Sequence, residues 1–239
     1  MENPFRFKEF SIAQDKCAMK IGTDAVLLGS WTPISSDVYS ILDIGAGTGI
    51  IALMLAQRSF AETIDALEID EDAYEQAVEN FENSPWGDRM FCYHAAFDEF
   101  VEEMNEEKYD LIVSNPPFFS NSSVSEITTT REQARSQASL PFEELLHGVS
   151  ILLSENGTFN IVIPKEEEAK LLEIASENNL FPNKITLVKG TATSKVKRSL
   201  ITFSFHQNEV ERDVLVLETS RHNYTPEYRE MVSPFYLKL

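Results

Sequence analysis

Two cysteines in 239 residues, a shortage of basic residues and no apolar run long enough to cross a bilayer set the first limits on this chain. Cys17 and Cys92 have no cysteine partner at metal-ligand or redox spacing, which excludes a disulfide framework and predicts two reduced, buried thiols of a cytosolic protein. The histidines at 94, 147, 206 and 222 lie far apart, so no metal is expected. The opening Met1-Glu-Asn-Pro-Phe-Arg-Phe-Lys8 lacks a signal-peptide core, so the expected location is the cytoplasm, with no membrane contact. Lys and Arg number 20 against 39 Asp and Glu, a formal net charge of -19. As an average, that charge argues against a polyanionic partner.

The charge is unevenly spread, and its distribution points the other way. Residues 62 to 110 carry seventeen acids and only two bases, Arg89 and Lys108. Residues 178 to 208 carry no acid, while Lys184, Lys189, Lys195, Lys197 and Arg198 supply five positive charges. A second basic group, Arg6, Lys8, Lys16 and Lys20, lies near the N-terminus. One side of the molecule can therefore meet a nucleic acid, although solvated loops on an acidic protein would give the same counts.

At 43% hydrophobic and 10% aromatic, the chain holds ample material for one α/β domain that folds alone as a monomer. Short Val-, Ile- and Phe-rich runs at 38–43, 63–68, 90–94, 109–114 and 157–163 read as strands. Between them, Ala73, Tyr74, Ala77, Val78 and Phe81 share one helical face, as do Phe142, Leu145, Leu146, Val149 and Leu153, and Ala169, Leu172 and Ala175. Alternation of this kind predicts a mostly parallel sheet covered on both faces. The runs 183–189 and 199–206 are joined too tightly for a helix and should pair antiparallel, giving seven strands ending in a hairpin. Residues 38–239 form this core, and 1–37 form a segment expected to cover the cofactor and substrate. The polar stretch 119–140 reads as a mobile loop near the site.

Asp43-Ile-Gly-Ala-Gly-Thr-Gly49 follows a strand and opens a helix from Ile50 to Arg58, the context in which glycines let a backbone approach a nucleotide-like ligand. A dinucleotide fingerprint would read GxGxxG, with a pyrophosphate at the helix N-terminus. Here Gly45, Gly47 and Gly49 alternate, Thr48 stands between them, and Asp43 would repel a pyrophosphate while suiting the amino-acid end of a zwitterion. S-adenosylmethionine is the better fit. Glu68, ending the next strand 25 residues after Asp43, can accept from ribose hydroxyls, and Ile69 can face the adenine. Asp70 is placed to cap the following helix.

Asn115-Pro-Pro-Phe118 follows the fourth strand. Pro116 and Pro117 fix the backbone and remove donors, leaving acceptors beside the cofactor. An amino group conjugated to a ring is a poor nucleophile. If the Asn115 side-chain oxygen and the Pro116 carbonyl hold its two hydrogens, its lone pair can turn toward the sulfonium methyl, with Phe118 stacking on the ring. The product amine can then lose its proton to water, so no strong general base is needed.

These motifs are similar to those of amino-methyltransferases with an (Asn/Asp)-Pro-Pro-aromatic tetrapeptide. Nearly end to end, the chain resembles the bacterial tRNA1(Val) adenine-N6 methyltransferases. Phe7 to Ser11, Asp15 to Gly29, Ala134-Arg135, Phe142 to Leu146, Tyr224 to Tyr228 and Phe235 to Leu237 carry the likeness. The resemblance implies a Rossmann-like class I methyltransferase fold and methylation of the adenosine beside the anticodon of valine tRNA. It also implies that Lys20, Thr23 and Asp24 help enclose the cofactor. The sequence departs from the pattern at Ala96, where many relatives place an acid for the cofactor's adenine amine; Asp98 or the backbone near Phe97 must replace it. The competing readings are N5-glutamine methylation of a protein, guanine-N2 methylation of rRNA, and a non-catalytic nucleotide-binding module.

Overall fold

The computed structural model describes residues 4–17, 19–117 and 140–238. A two-stranded ribbon, β1 (Phe5–Arg6) and β2 (Ser11–Ile12), precedes helix α1 (Thr23–Trp31). Strands and helices then alternate through β3 (Ser40–Ile44), α2 (Ile50–Arg58), β4 (Thr63–Glu68), α3 (Glu71–Glu82), β5 (Met90–His94), α4 (Phe97–Glu103) and β6 (Tyr109–Ser114). After the undescribed stretch come α5 (Phe142–Leu152), β7 (Leu153–Pro164), α6 (Glu168–Glu177), β8 (Phe181–Thr191) and β9 (Val196–Ser204). Strand β10 (Glu211–Ser220), β11 (Asn223–Tyr224) and α7 (Pro226–Val232) complete the chain.

The main sheet has the order β11-β10-β8-β9-β7-β6-β3-β4-β5. Strands β5, β4, β3, β6 and β7 are mutually parallel, and β9 runs antiparallel to both β7 and β8. This is a class I methyltransferase architecture with its C-terminal antiparallel hairpin. Nine described strands occupy it, not the expected seven, because β10 lies parallel to β8 and β11 folds back on β10. The run Glu211-Arg-Asp-Val-Leu-Val-Leu-Glu218 opens on three charges and does not read as a buried strand. It lies next to the sheet margin, covered on its outer side only by the two-residue β11, and its apolar residues are half-buried or exposed.

Side-chain alternation divides the core. On β3, Ile41 packs with α1 and α2, while Leu42 and Ile44 face the opposite layer of α4, α5 and α6. On β6, Leu111 and Val113 share the first side and Ile112 the second. Helix α2 is sandwiched so fully that Ile50 through Ala56 are all buried. On α3, the expected apolar face also carries Gln76 and Asn80, which are 0% and 3% exposed. Asp70 caps this helix, accepting from the Ala73 N–H at 2.9 Å.

Candidate active site

The ligand crevice of a parallel sheet forms outside the carboxyl ends of its strands, and the sequence motifs meet there. The turn after β3 has Gly45, Gly47 and Gly49 at φ of +74°, +56° and +76°. Gly49 is fixed twice, because a Cβ there would also meet the Phe81 ring at 2.4 Å. Beside this turn lies a cavity of about 290 Å³ lined by Glu68, Ile69, Ala95, Ala96, Phe97, Asp98, Ser114 and Asn115 with its two prolines. A second chamber of about 480 Å³ shares Gly45, Gly47, Asn115, Pro116 and Pro117 and adds Lys20, Asp24, Thr48 and Arg198. The structure thus joins Asn115, Pro116 and Pro117 to most of the predicted cofactor residues. Phe118, and residues 119–139 of the expected loop, lie outside the described residues.

Glu68 is buried at the end of β4. One carboxylate oxygen accepts from the Gly47 N–H at 2.7 Å; the other accepts from Ile69 and Asp70 at 2.9 and 3.0 Å. A carboxylate offers roughly four lone-pair sites, so one remains for an incoming hydroxyl without disturbing the loop. Ile69 is 49% exposed, a free apolar face at the cavity wall. Its carbonyl lies 3.1 Å from the His94 Nε2, and the His94 ring stacks on Tyr74 at 5.1 Å. His94, which its spacing marks as structural or incidental, therefore steadies this wall. Phe97 and Asp98 begin α4 at the same cavity, and Ala96 gives that helix no side-chain cap. Among the described residues no side chain caps the first N–H groups of α4. Asn115 is half-buried, and among the described residues its side chain makes no hydrogen bond, leaving its oxygen available.

Asp43 departs from its predicted role. It lines neither chamber, is fully buried, and accepts from the Ala52 N–H in the first turn of α2 at 3.1 Å. Gly49 supplies no side-chain cap, so Asp43 satisfies that orphan donor from the neighbouring strand. Its Oδ1 has no partner, and burial pushes the carboxyl up to about 7. Desolvation disfavours the charged form, so this group contributes most stability at low pH and loses it as pH rises toward about 7. Asp43→Asn should flatten that fall: the difference in unfolding free energy between wild type and variant, measured by denaturant titration, shifts in the variant's favour from pH 4 to pH 7.

Thr23 is exposed and lines neither chamber, whereas Asp24 lines the second and pairs with the Arg198 Nε at 2.8 Å. Arg198 is thus a chamber residue held by α1. Lys184 faces Glu211 at 2.8 Å and Asp213 at 3.6 Å, so β10 offsets a charge that the acid-free stretch 178–208 suggested was open. Lys195 and Lys197 are exposed, and among the described residues Lys189 reaches the Ala192 carbonyl, at 3.4 Å, within the same turn. Because β8 runs parallel to the core strands, this turn emerges at the cavity end of the sheet. Arg6 and Lys8 belong to the β1–β2 ribbon. Lys8 donates to the Ser233 carbonyl at 2.6 Å, and Phe7 bridges to Tyr236, which docks the ribbon on the C-terminal tail.

Met19, common to both chambers, and Leu140 and Glu144, which line the first, are not among the predicted site residues, although Met19 and Glu144 lie in segments that carry the family likeness. Among the described residues no cluster of three potential metal ligands occurs, and no helix is long and apolar enough to cross a membrane. Cys17 is buried and Cys92 half-buried, and burial pushes both thiols up to about 12.

The methyltransferase small domain model matches residues 21–178. A protein of Christiangramia forsetii named tRNA1(Val) (adenine(37)-N6)-methyltransferase is 65% identical, over 99% of this chain and 98% of its own length. One of the same name from Bacteroides fragilis is 48% identical over the whole of both chains. Among solved structures, a predicted O-methyltransferase from Agrobacterium tumefaciens is similar in fold, with a TM-score of 0.67 at 20% identity, over 89% of this chain and 96% of its own.

Proposed function

The chain belongs to the methyltransferase small-domain family and, within it, to the tRNA1(Val) (adenine(37)-N6)-methyltransferases, and we propose that it methylates N6 of adenine 37 in that tRNA. The observation that carries this reading is Asn115, its oxygen uncommitted, set with two prolines between the chambers. S-adenosylmethionine supplies an electrophilic methyl on a sulfonium. The residues suit it: Glu68 has acceptor capacity for a ribose hydroxyl, Ile69 and Phe97 offer apolar faces to an adenine, and the α4 N-terminus offers donors to ring nitrogens. Lys20, Asp24 and Arg198 give the second chamber the charges that an amino-acid carboxylate and ammonium require. Asp43 acts from below, by holding the start of α2.

The substrate's amino group enters at the junction of the two chambers. The Asn115 Oδ1 and the Pro116 carbonyl accept its two hydrogens, which turns the lone pair out of the ring and toward the methyl. Pro117 keeps the turn rigid, and Phe118 stacks on the flipped base. Rate enhancement comes from this positioning and from acceptors that match the positive charge developing on nitrogen. Proton loss to water follows.

The turn of Lys189, Lys195 and Lys197 is the RNA-facing surface, with Arg198 behind it inside the chamber. Replacing Lys195 and Lys197 by Ala should weaken tRNA binding and lower the slope of log affinity against log salt by about 1–2, read from binding isotherms between low and moderate salt. An unchanged slope places the RNA elsewhere. The enzyme is read as a cytoplasmic monomer working without a metal ion. Incubation with labelled cofactor and tRNA from a strain lacking the modification should yield N6-methyladenine at one position of one tRNA. Label found only in protein, or only as N2-methylguanine in rRNA, overturns the proposal.

A further inference from the structure

The segment between β2 and α1 passes over the glycine turn; Cys17 and Ile21 pack it against the core, and side chains of α3 tie down its backbone. Asn80, 3% exposed on α3, makes three hydrogen bonds. Its Oδ1 accepts from the Ala13 N–H at 2.8 Å, and its Nδ2 donates to the Ala13 carbonyl at 3.0 Å and to the Thr48 carbonyl at 2.9 Å. The carboxamide thus pairs with Ala13 as a neighbouring strand would, and with the same nitrogen grips the loop that forms the chamber floor. The hold continues along the segment. Next to Ala13, the Gln14 Oε1 accepts from the Ile21 N–H at 3.0 Å; one helical turn before Asn80, the Gln76 Oε1 accepts from the Lys16 N–H at 3.1 Å. Met19, Lys20, Ile21 and Gly22 then line the second chamber opposite Thr48.

We infer that Asn80 is a positioning residue that fixes the N-terminal cover to the glycine turn, and so sets affinity for the amino-acid end of the cofactor without touching it. The inference rests on the cofactor placement proposed above. It follows from how the two chambers divide. Thr48 and the covering residues Lys20, Ile21 and Gly22 line only the second chamber, Met19 lines both, and Glu68, Ile69 and Phe97, which take the adenosine portion, line only the first. A fully satisfied buried carboxamide linking two walls loses both carbonyl contacts when its donor is removed.

The test compares two ligands in calorimetric titrations of the whole protein, at a temperature where circular dichroism shows each variant folded. S-adenosylhomocysteine spans both chambers; 5′-methylthioadenosine lacks the amino-acid end. Asn80→Asp keeps the acceptor for Ala13 and loses both donations, and Asn80→Ala loses all three bonds. Either variant should weaken S-adenosylhomocysteine by about tenfold or more and 5′-methylthioadenosine by less than about twofold. Equal weakening of both ligands, or no weakening of either, overturns the inference, since a merely structural role does not discriminate between the ends of the ligand. Glu68→Gln provides the reference, because it should weaken both ligands. If it affects neither, the cofactor placement fails, a result distinguishable from failure of Asn80 alone.

Discussion

Asn115→Ala should lower kcat for tRNA methylation by about 10²–10³-fold while leaving the Kd for S-adenosylmethionine within about twofold of wild type. The magnitude is that of removing one preorganised group facing charge that develops only in the transition state. The separation of effects follows from the site. The Asn115 side chain hydrogen-bonds to none of the described residues and stands where the chambers meet, so its truncation disturbs neither Glu68 nor the glycine turn. Asn115→Asp keeps an acceptor at the same place and should retain more activity than the alanine variant. Single-turnover kinetics with saturating cofactor, alongside calorimetric titration, measures both quantities. A parallel fall in cofactor affinity would make the residue a wedge of the cavity wall instead of an acceptor for the substrate amine.

The second large effect is expected at Glu68, where one carboxylate serves three backbone donors. In Glu68→Gln a single oxygen must choose between Gly47 and the Ile69–Asp70 pair, and the amide nitrogen is forced against an N–H. Hydrogen bonds to charged groups contribute about 1.5–3 kcal/mol each, so loss of one, together with the ribose contact, should weaken the cofactor by about 10–100-fold. The same loss should destabilise the apo protein by about 1–3 kcal/mol, seen in chemical denaturation. Unchanged stability with weakened binding would mean that the three backbone bonds re-form around the amide; unchanged binding would remove Glu68 from the cofactor site.

The parts of this protein that local pattern decides are legible in its sequence. Ile41, Leu42, Ile64, Ile112 and Phe159 lie in short runs rich in branched and aromatic residues, the pattern of strands buried on both sides. The glycine turn is legible because alternate positive φ has few solutions in L-residues. What escapes are arrangements made by partners distant in sequence. Gln76 and Asn80 sit among Ala73, Ala77 and Phe81 on the inner face of α3, yet as amides they read as solvent positions; their partners lie some sixty residues away. Asp43 stands at the expected turn but has a different duty there, because sequence does not say which side of β3 its carboxylate leaves from. Lys184 reads as open because its neutralising acids arrive on β10, a strand whose charged opening conceals it.

The two margins of the sheet also bear on how this protein behaves at high concentration. Unpaired strand margins invite a second chain to add on, and natural sheets blunt them. One margin ends in β11, two residues long, with α7 packed beside it on β10. The other, β5, is only five residues long, and though it exposes Phe91 and Tyr93 it is flanked by α3 and α4. Those helices lie within the stretch that holds seventeen acids against two bases. Docking two copies along β5 would press like charges together, so self-association there should be suppressed in dilute buffer and grow as added salt screens them. The acidity that makes this chain an unexpected companion for RNA thereby acts as a colloidal safeguard for this open margin of the sheet.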